Sequence, residues 1–365
     1  MRRSLIALAT LLVAGMSTAS SPTAAPSFAP VEQGVGPAFA SIGPLTFAPD
    51  GTLYAGDTAS AAIVAVDLGA AGTGGAEGSV AVAGIDQKIA ALLGTVPAEI
   101  AITDLAVHPK THQSYLSVMR GVGAAAKPAL LRLDGKGDLT LVATDTLKFS
   151  KVTLPNAPDA ANRARREAIT DIAVSNGRIF VAGLSNEEFA SKLWSIAYPF
   201  SAVDRGTSIE IFHGNHGRLE TRSPIYSFVP YTVDGKPMLI AGYLCTPLVR
   251  IPVDALTTGA KLLGTTIAEL GNQNRPIDMV VYKKDGKEFL LMSNTSRGVM
   301  KIPTATFGSE TPITAPVPTE TAGVKYEKIA TLTGVEQLDL LDATRSIVIV
   351  KGADGVRNLQ IVILP

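Results

Sequence analysis

One short string, repeated with variations, constrains this chain more than anything else in it. Ala168-Ile169-Thr170-Asp171-Ile172-Ala173-Val174 returns as Ala101-Ile102-Thr103-Asp104-Leu105-Ala106-Val107 and as Arg275-Pro276-Ile277-Asp278-Met279-Val280-Val281. It returns again as Glu336-Gln337-Leu338-Asp339-Leu340-Leu341. Gly43-Pro44-Leu45-Thr46-Phe47-Ala48 and Ser223-Pro224-Ile225-Tyr226-Ser227-Phe228 keep the frame without the aspartate. The anchors at 46, 104, 171, 226, 278 and 339 lie 58, 67, 55, 52 and 61 residues apart. A unit that returns every 50–65 residues or so predicts a radial repeat.

Each copy follows one grammar: β-branched run, turn, second run, turn, third run. In the first copy these are Leu45–Ala48, Pro49-Asp50-Gly51, Thr52–Gly56 and Ala61–Val66. Ser175-Asn176-Gly177 and Lys284-Asp285-Gly286 mark the same turn in later copies, and Asn-Gly or Asp-Gly between apolar runs signals a hairpin. A fourth run follows at Leu139–Ala143, Ser208–Phe212, Thr265–Glu269 and Lys328–Leu332. Four antiparallel strands per repeat predict an all-β fold, a six-bladed β-propeller. The last copy has three runs, so the spare run Pro37–Ile42 is expected to close the ring as an N-terminal outer strand. Asp86–Leu93 has apolar residues at helical spacing and predicts a short helix. Residues 145–167 read as a long connection, and Thr304–Gly323 as a loop within the fifth repeat.

Met1-Arg2-Arg3-Ser4, followed by the apolar run Leu5–Met16, reads as a secretory signal,. Residues 1–25 are assigned to signal and flexible leader, and 31–365 to a single propeller domain. An exported protein, periplasmic or extracellular, is expected. No later segment is apolar for long enough to span a membrane. Lys+Arg and Asp+Glu both number 32. There is no basic excess to displace counterions, which argues against nucleic acid. Cys245 is the sole cysteine, so no disulfide is available within the chain.

Three groups of residues carry candidate chemistry. Asp104, Asp171, Asp278 and Asp339 hold equivalent places in innermost strands, so their carboxylates are expected to converge on the axis and repel one another. A bound cation, protonation, or hydrogen bonds from backbone N–H groups would relieve that; oxygen ligands suit a hard ion such as Ca²⁺. His213 and His216, in His213-Gly214-Asn215-His216-Gly217, offer two imidazoles as general bases or metal ligands. Cys245 falls on the same expected face, and a His-His-Cys set is also a copper arrangement. The remaining rim of that face presents Asn186, Glu187, Asn274, Arg275, Asn294 and Arg297, a polar lining for a small molecule. His108 and His112 fall on the opposite face and read as a solvated turn.

Ile169-Thr170-Asp171-Ile172-Ala173-Val174 and Gly43-Pro44-Leu45-Thr46-Phe47-Ala48-Pro49-Asp50-Gly51-Thr52-Leu53-Tyr54 resemble blades of the NHL, SMP-30/gluconolactonase and paraoxonase-like six-bladed propellers. The resemblance implies Ca²⁺ in the channel and hydrolysis of lactones or esters, with Asp171, Asp278 and Asn294 falling where metal ligands of those enzymes lie. Three readings follow. The first is a cation- and ligand-binding propeller, as an enzyme using the metal to polarise a carbonyl and His213 or His216 as base. The second is a non-catalytic propeller binding a small molecule or a partner protein on that face. The third is a periplasmic redox partner with copper at His213, His216 and Cys245.

Overall fold

The computed structural model describes residues 30–69, 73–245 and 247–365; the signal segment lies outside them. The chain is nearly all β, with one α-helix of any length among the described residues, Ile85–Leu93. Hub strands are Leu45–Phe47, Ile100–Val107, Asp171–Ser175, Ile225–Val233, Pro276–Lys284 and Val335–Leu340. Each opens an antiparallel meander that runs outward. Three meanders begin with the same two-residue turn: Asn176-Gly177, Asp234-Gly235 and Asp285-Gly286 all have positive φ at both positions. That is the turn whose twist suits a tight hairpin, and Asn, Asp and Gly tolerate it.

The hub strands pack side by side in a closed cycle: 45–47 against 100–107, then 335–340, 276–284, 225–233, 171–175, and back to 45–47. Burial follows the same cycle. Among the described residues, six apolar clusters form, each shared by two neighbouring meanders. Tyr54, Ile63, Val181 and Trp194, for example, share one seam, and Val280, Leu291, Val348 and Leu364 another. Second and third strands are buried on both faces, as in Leu53–Asp57 and in Ala62–Asp67 up to Val66. This is a propeller arrangement, in which meanders pack face to face around an axis.

The connectivity departs from the expected closure. The N-terminal strand is Val31–Val35, and it pairs with Lys148–Thr153, which in turn pairs with Ala62–Asp67. The N-terminal segment therefore edges the first meander rather than the last. Residues 37–42 are irregular, and Asp57 ties them down by accepting from Ala40 N, Ser41 N and Ser41 Oγ at 2.9 Å. The last meander keeps three strands, and its open edge takes Val82, bridged to Leu359. The reason is apolar: Val82, Ile85 and Ile89 bury themselves against Ile349 and Leu359.

The connection expected at 145–167 likewise contains a strand, Lys148–Thr153, the fourth of the first meander. The whole 100–141 meander is thus inserted between the third and fourth strands of the first. Around the axis it separates the first meander from the last. The loop from Thr304 does not stay within its own repeat. It ends in Thr321–Gly323, which pairs with Lys261–Leu270 of the preceding meander.

Candidate functional site

The hub aspartates bind the seams. Asp104 accepts from Leu45 N at 2.5 Å, Asp278 from Leu338 N at 2.8 Å, Asp339 from Val107 N at 2.7 Å and Asp171 from Phe228 N at 2.8 Å. Every one of these bonds crosses to a neighbouring hub strand. The second oxygen of Asp104, Asp171 and Asp339 takes the N–H of the next residue in its own strand, at 2.7 Å. Between the other neighbours, backbone and hydroxyl groups make the crossing, as with Thr58 Oγ1 to Ile169 O at 3.3 Å and Cys245 N to Asn274 O at 2.7 Å.

These four carboxyls are half-buried but enclosed by strands, and they feel one another. Burial pushes Asp104 well above the usual carboxylate range, and Asp278 and Asp171 push it further. Burial does the same to Asp278, aided by Asp171 and Asp339. Burial raises Asp171 to about 7 and Asp339 to about 6, against the pull of their backbone N–H donors.

At the start of the hub strands lies a polar group. Tyr226 Oη donates to Glu167 Oε1 at 2.5 Å, and the Arg275 guanidinium lies 5.1 Å from the Tyr226 ring centroid. Burial raises the Tyr226 hydroxyl to about 12, and its bond to Glu167 adds to that. Arg275 is exposed; its backbone N–H is held by Thr295 Oγ1 at 3.0 Å. Beneath it, buried Asn274 donates to Asn294 at 2.8 Å and accepts from Ser296 N at 3.1 Å. Asn294 Nδ2 donates to Met292 O and Gly298 O at 3.2 and 3.1 Å. Both asparagines shape the turn that presents Arg275.

A second cluster lies at the outer rim. Thr207–His213 is the fourth strand of its meander, and a hairpin pairs it with Arg218–Glu220. His213 faces Arg218 and Ile211 faces Glu220 across that hairpin, so His213 and Glu220 are same-side diagonal neighbours. His213 Nδ1 lies 3.1 Å from Glu220 Oε2, and His216 Nδ1 lies 2.6 Å from Glu220 Oε1. The imidazole centroids are 3.7 Å apart. Glu269, from the fourth strand of the next meander, is fully buried behind them. It accepts from Gly214 N at 2.6 Å and Asn215 Nδ2 at 3.2 Å. Burial raises Glu269, opposed by His213. Burial would raise Glu220 too, but hydrogen bonds from His213 and His216 prevail and bring it to about 2.

Other residues singled out in the sequence make contacts of their own. Glu187 holds the buried ammonium of Lys192 at 2.6 Å and Arg205 at 2.9 Å. Asn186 is exposed, and its N–H donates to Asn156 O at 2.7 Å. Arg297 pairs with Glu320 at 2.8 Å and with Asn272 O at 3.0 Å. Cys245 is half-buried at a positive φ of 61°. Among the described residues, His213, His216 and Glu220 bring ligand atoms within 4.8 Å of one another; Cys245 and the hub aspartates do not join such a group.

His108 corrects its expected place. It is buried at 4% exposure, packs edge-on against Phe47, and accepts from Lys110 N and Thr111 N at 3.2 and 3.1 Å. The turn is folded around its imidazole rather than solvated. A cleft of about 500 Å³ opens among Arg178, Tyr231, Asp254 and Glu288, and none of the candidate catalytic, ligand-binding or metal residues lines it.

Sequence reasoning missed Glu167, Glu220 and Glu269. Glu220 sits four residues after His216, and Glu269 closes the run Thr265–Glu269. Their meeting depends on hairpin register and on the parallel pairing of Thr207–His213 with Lys261–Leu270.

No protein-family model matches the chain, and no curated protein matches it. Solved structures with similar folds include aldose sugar dehydrogenase from Streptomyces coelicolor with PQQ bound, 14% identical over 93% of this chain and 100% of that one, TM-score 0.32. The periplasmic gluconolactonase of Pseudomonas aeruginosa is 13% identical over 88% of this chain and 85% of that one, TM-score 0.35. A streptogramin B lyase is 10% identical over 92% and 98%, TM-score 0.32. At these levels the likeness carries no conclusion about this chain.

Proposed function

We propose that the chain is an exported six-bladed propeller that binds a small polar ligand with an anionic group where the hub strands begin. Arg275 is the observation that carries this reading. It is exposed beside Tyr226 and takes part in none of the salt bridges among the described residues. A guanidinium held beside an aromatic ring suits a carboxylate or similar anion. Tyr226, whose hydroxyl proton is held by Glu167, adds its ring and an acceptor lone pair at the same place, and Glu167 adds a carboxylate oxygen.

Below them, a divalent cation such as Ca²⁺ is the companion of the reading. A carboxylate offers about four lone-pair sites, and the backbone bonds of Asp104, Asp171, Asp278 and Asp339 leave some of these free. Their mutual repulsion favours an ion there, with water completing the coordination.

Hydrolysis of a lactone or ester is the enzymatic form of the same reading. The cation would polarise the carbonyl. His213 and His216 belong to an outermost strand and its turn, three strand spacings or about 14 Å from the hub. Glu167 is therefore the base in reach of the ligand.

Calorimetric titration of lactones, esters and the matching hydroxy acids, with and without Ca²⁺, tests the proposal. Arg275→Ala is expected to weaken binding about tenfold or more, the loss of one charged hydrogen bond. Equal affinity of wild type and Arg275→Ala for every bound compound would overturn the site. Binding without turnover would select the non-catalytic propeller.

A further inference from the structure

We propose that His213, His216 and Glu220 form a binding site for a divalent transition metal, Zn²⁺ or a neighbour in the d-block, on the outer rim and separate from the hub. Both Nδ1 atoms converge on one carboxylate, at 3.1 and 2.6 Å. All three ligand atoms fit within 4.8 Å, a span that one ion with bonds of about 2.0–2.2 Å bridges after small adjustment. The two imidazoles are borderline nitrogen ligands, and they tilt the set towards Zn²⁺, Cu²⁺, Ni²⁺ or Fe²⁺ over the Ca²⁺ or Mg²⁺ that a carboxylate alone would suit.

The far side of His213 gives the second, independent observation. Its Nε2 is buried and has no hydrogen-bond partner, in a residue only 1% exposed. The nearest acceptor is Glu269 Oε2 at 3.7 Å. A metal-bound histidine usually directs its other ring N–H at a carboxylate, which fixes tautomer and orientation. Coordination through Nδ1 puts a proton on Nε2, aimed at Glu269. The unpaired atom then acquires its partner, and the buried Glu269 carboxylate its counter-charge.

The turn is built for this close approach. A Cβ on Gly214 would meet Ile313 Cγ2 at 2.8 Å and Glu269 Oε1 at 3.1 Å, and Gly217 has φ 63°. The loop after Thr304, from the 276–328 meander, covers the turn: Val317 N donates to Gly214 O at 3.0 Å, and Glu320 O accepts from Asn215 Nδ2 at 3.1 Å. His216 stays open, its side chain 39% exposed. Three protein ligands and an accessible face describe a site with a free coordination position.

The test uses the full chain stripped of metal with chelator, titrated with Zn²⁺ and separately with Ca²⁺ by calorimetry, with Co²⁺ absorption as a spectroscopic check. One Zn²⁺ per chain is expected, undiminished by millimolar Ca²⁺. His216→Ala, at an exposed position, should lower Zn²⁺ affinity at least 100-fold. Glu269→Gln should lower it 10–100-fold, the usual effect of losing an outer carboxylate. Arg275→Ala and Asp171→Asn should leave it unchanged, which separates this site from the hub. No Zn²⁺ binding, or equal affinity in wild type and His216→Ala, overturns the proposal. If His216→Ala fails to fold, Glu220→Gln serves with the same two outcomes.

Discussion

The hub and the rim place carboxylates under opposite regimes. At the hub, Asp104, Asp171, Asp278 and Asp339 meet backbone N–H groups and one another, and all titrate above the usual range. At the rim, Glu220 meets two imidazoles and titrates at about 2. Burial acts in the same direction in both places, so the partners decide the sign. Neutral dipoles are too weak to offset burial among like charges, whereas hydrogen bonds from two histidines offset it fully. The hub is a fastening whose charge is a liability without a counter-ion. The rim holds its charge ready for one.

Replacing Glu187 sets the scale for what a charged rim residue contributes by holding a buried partner. Glu187→Ala leaves the Lys192 ammonium buried without its partner at 2.6 Å. A loss of about 3–5 kcal/mol is expected, the cost of breaking a buried pair, read by urea denaturation. A loss below about 1 kcal/mol would mean that Lys192 finds water, and Glu187 would return to the pool of ligand-binding residues.

At the hub, Asp339→Ala deprives Val107 N and Leu340 N of their acceptor. Unpaired buried donors cost roughly 1–3 kcal/mol in all once relief of repulsion is counted. Equilibrium unfolding at pH 6 checks this. A variant more stable than wild type there would show that repulsion outweighs fastening.

The smallest effect sharpens the sign difference. Glu220 has its pKa lowered on folding, so its contribution is present above the unfolded value and fades as pH falls towards 2,. Glu220→Gln should therefore cost stability at pH 6, by about 1 kcal/mol at most in metal-free protein, a smaller amount at pH 3, and little only below the folded value,. An equal cost at both pH values would remove the histidines as the cause.

The repeated string made the hub strands legible, because one function imposed on equivalent positions leaves equivalent residues. It gave no order around the axis. Asp104 and Asp278 look alike, and nothing in either names its neighbour. The insertion of the 100–141 meander escaped notice because Lys148–Thr153 lacks a turn marker and mixes polar with apolar residues. Closure at the N-terminal run failed for a related reason: Val82 and the helix after it compete for the same apolar edge. At the rim the histidines stood out by type, while Glu220 and Glu269 did not, since acidic residues are common and only strand register brings these two to an imidazole.

The central claim is that four sequence-distant aspartates share one enclosed hub. The direct test is the stability difference between wild type and Asp171→Asn, metal-free, from pH 5 to pH 8. Asp171 has its folded pKa raised from 3.8 to about 7, so its contribution is full below the unfolded value and is lost as pH rises through the folded one. Wild type should lose roughly 1–2 kcal/mol relative to the variant over that span, and Ca²⁺ should restore it. A difference that stays constant from pH 5 to pH 8, with or without Ca²⁺, would contradict the account.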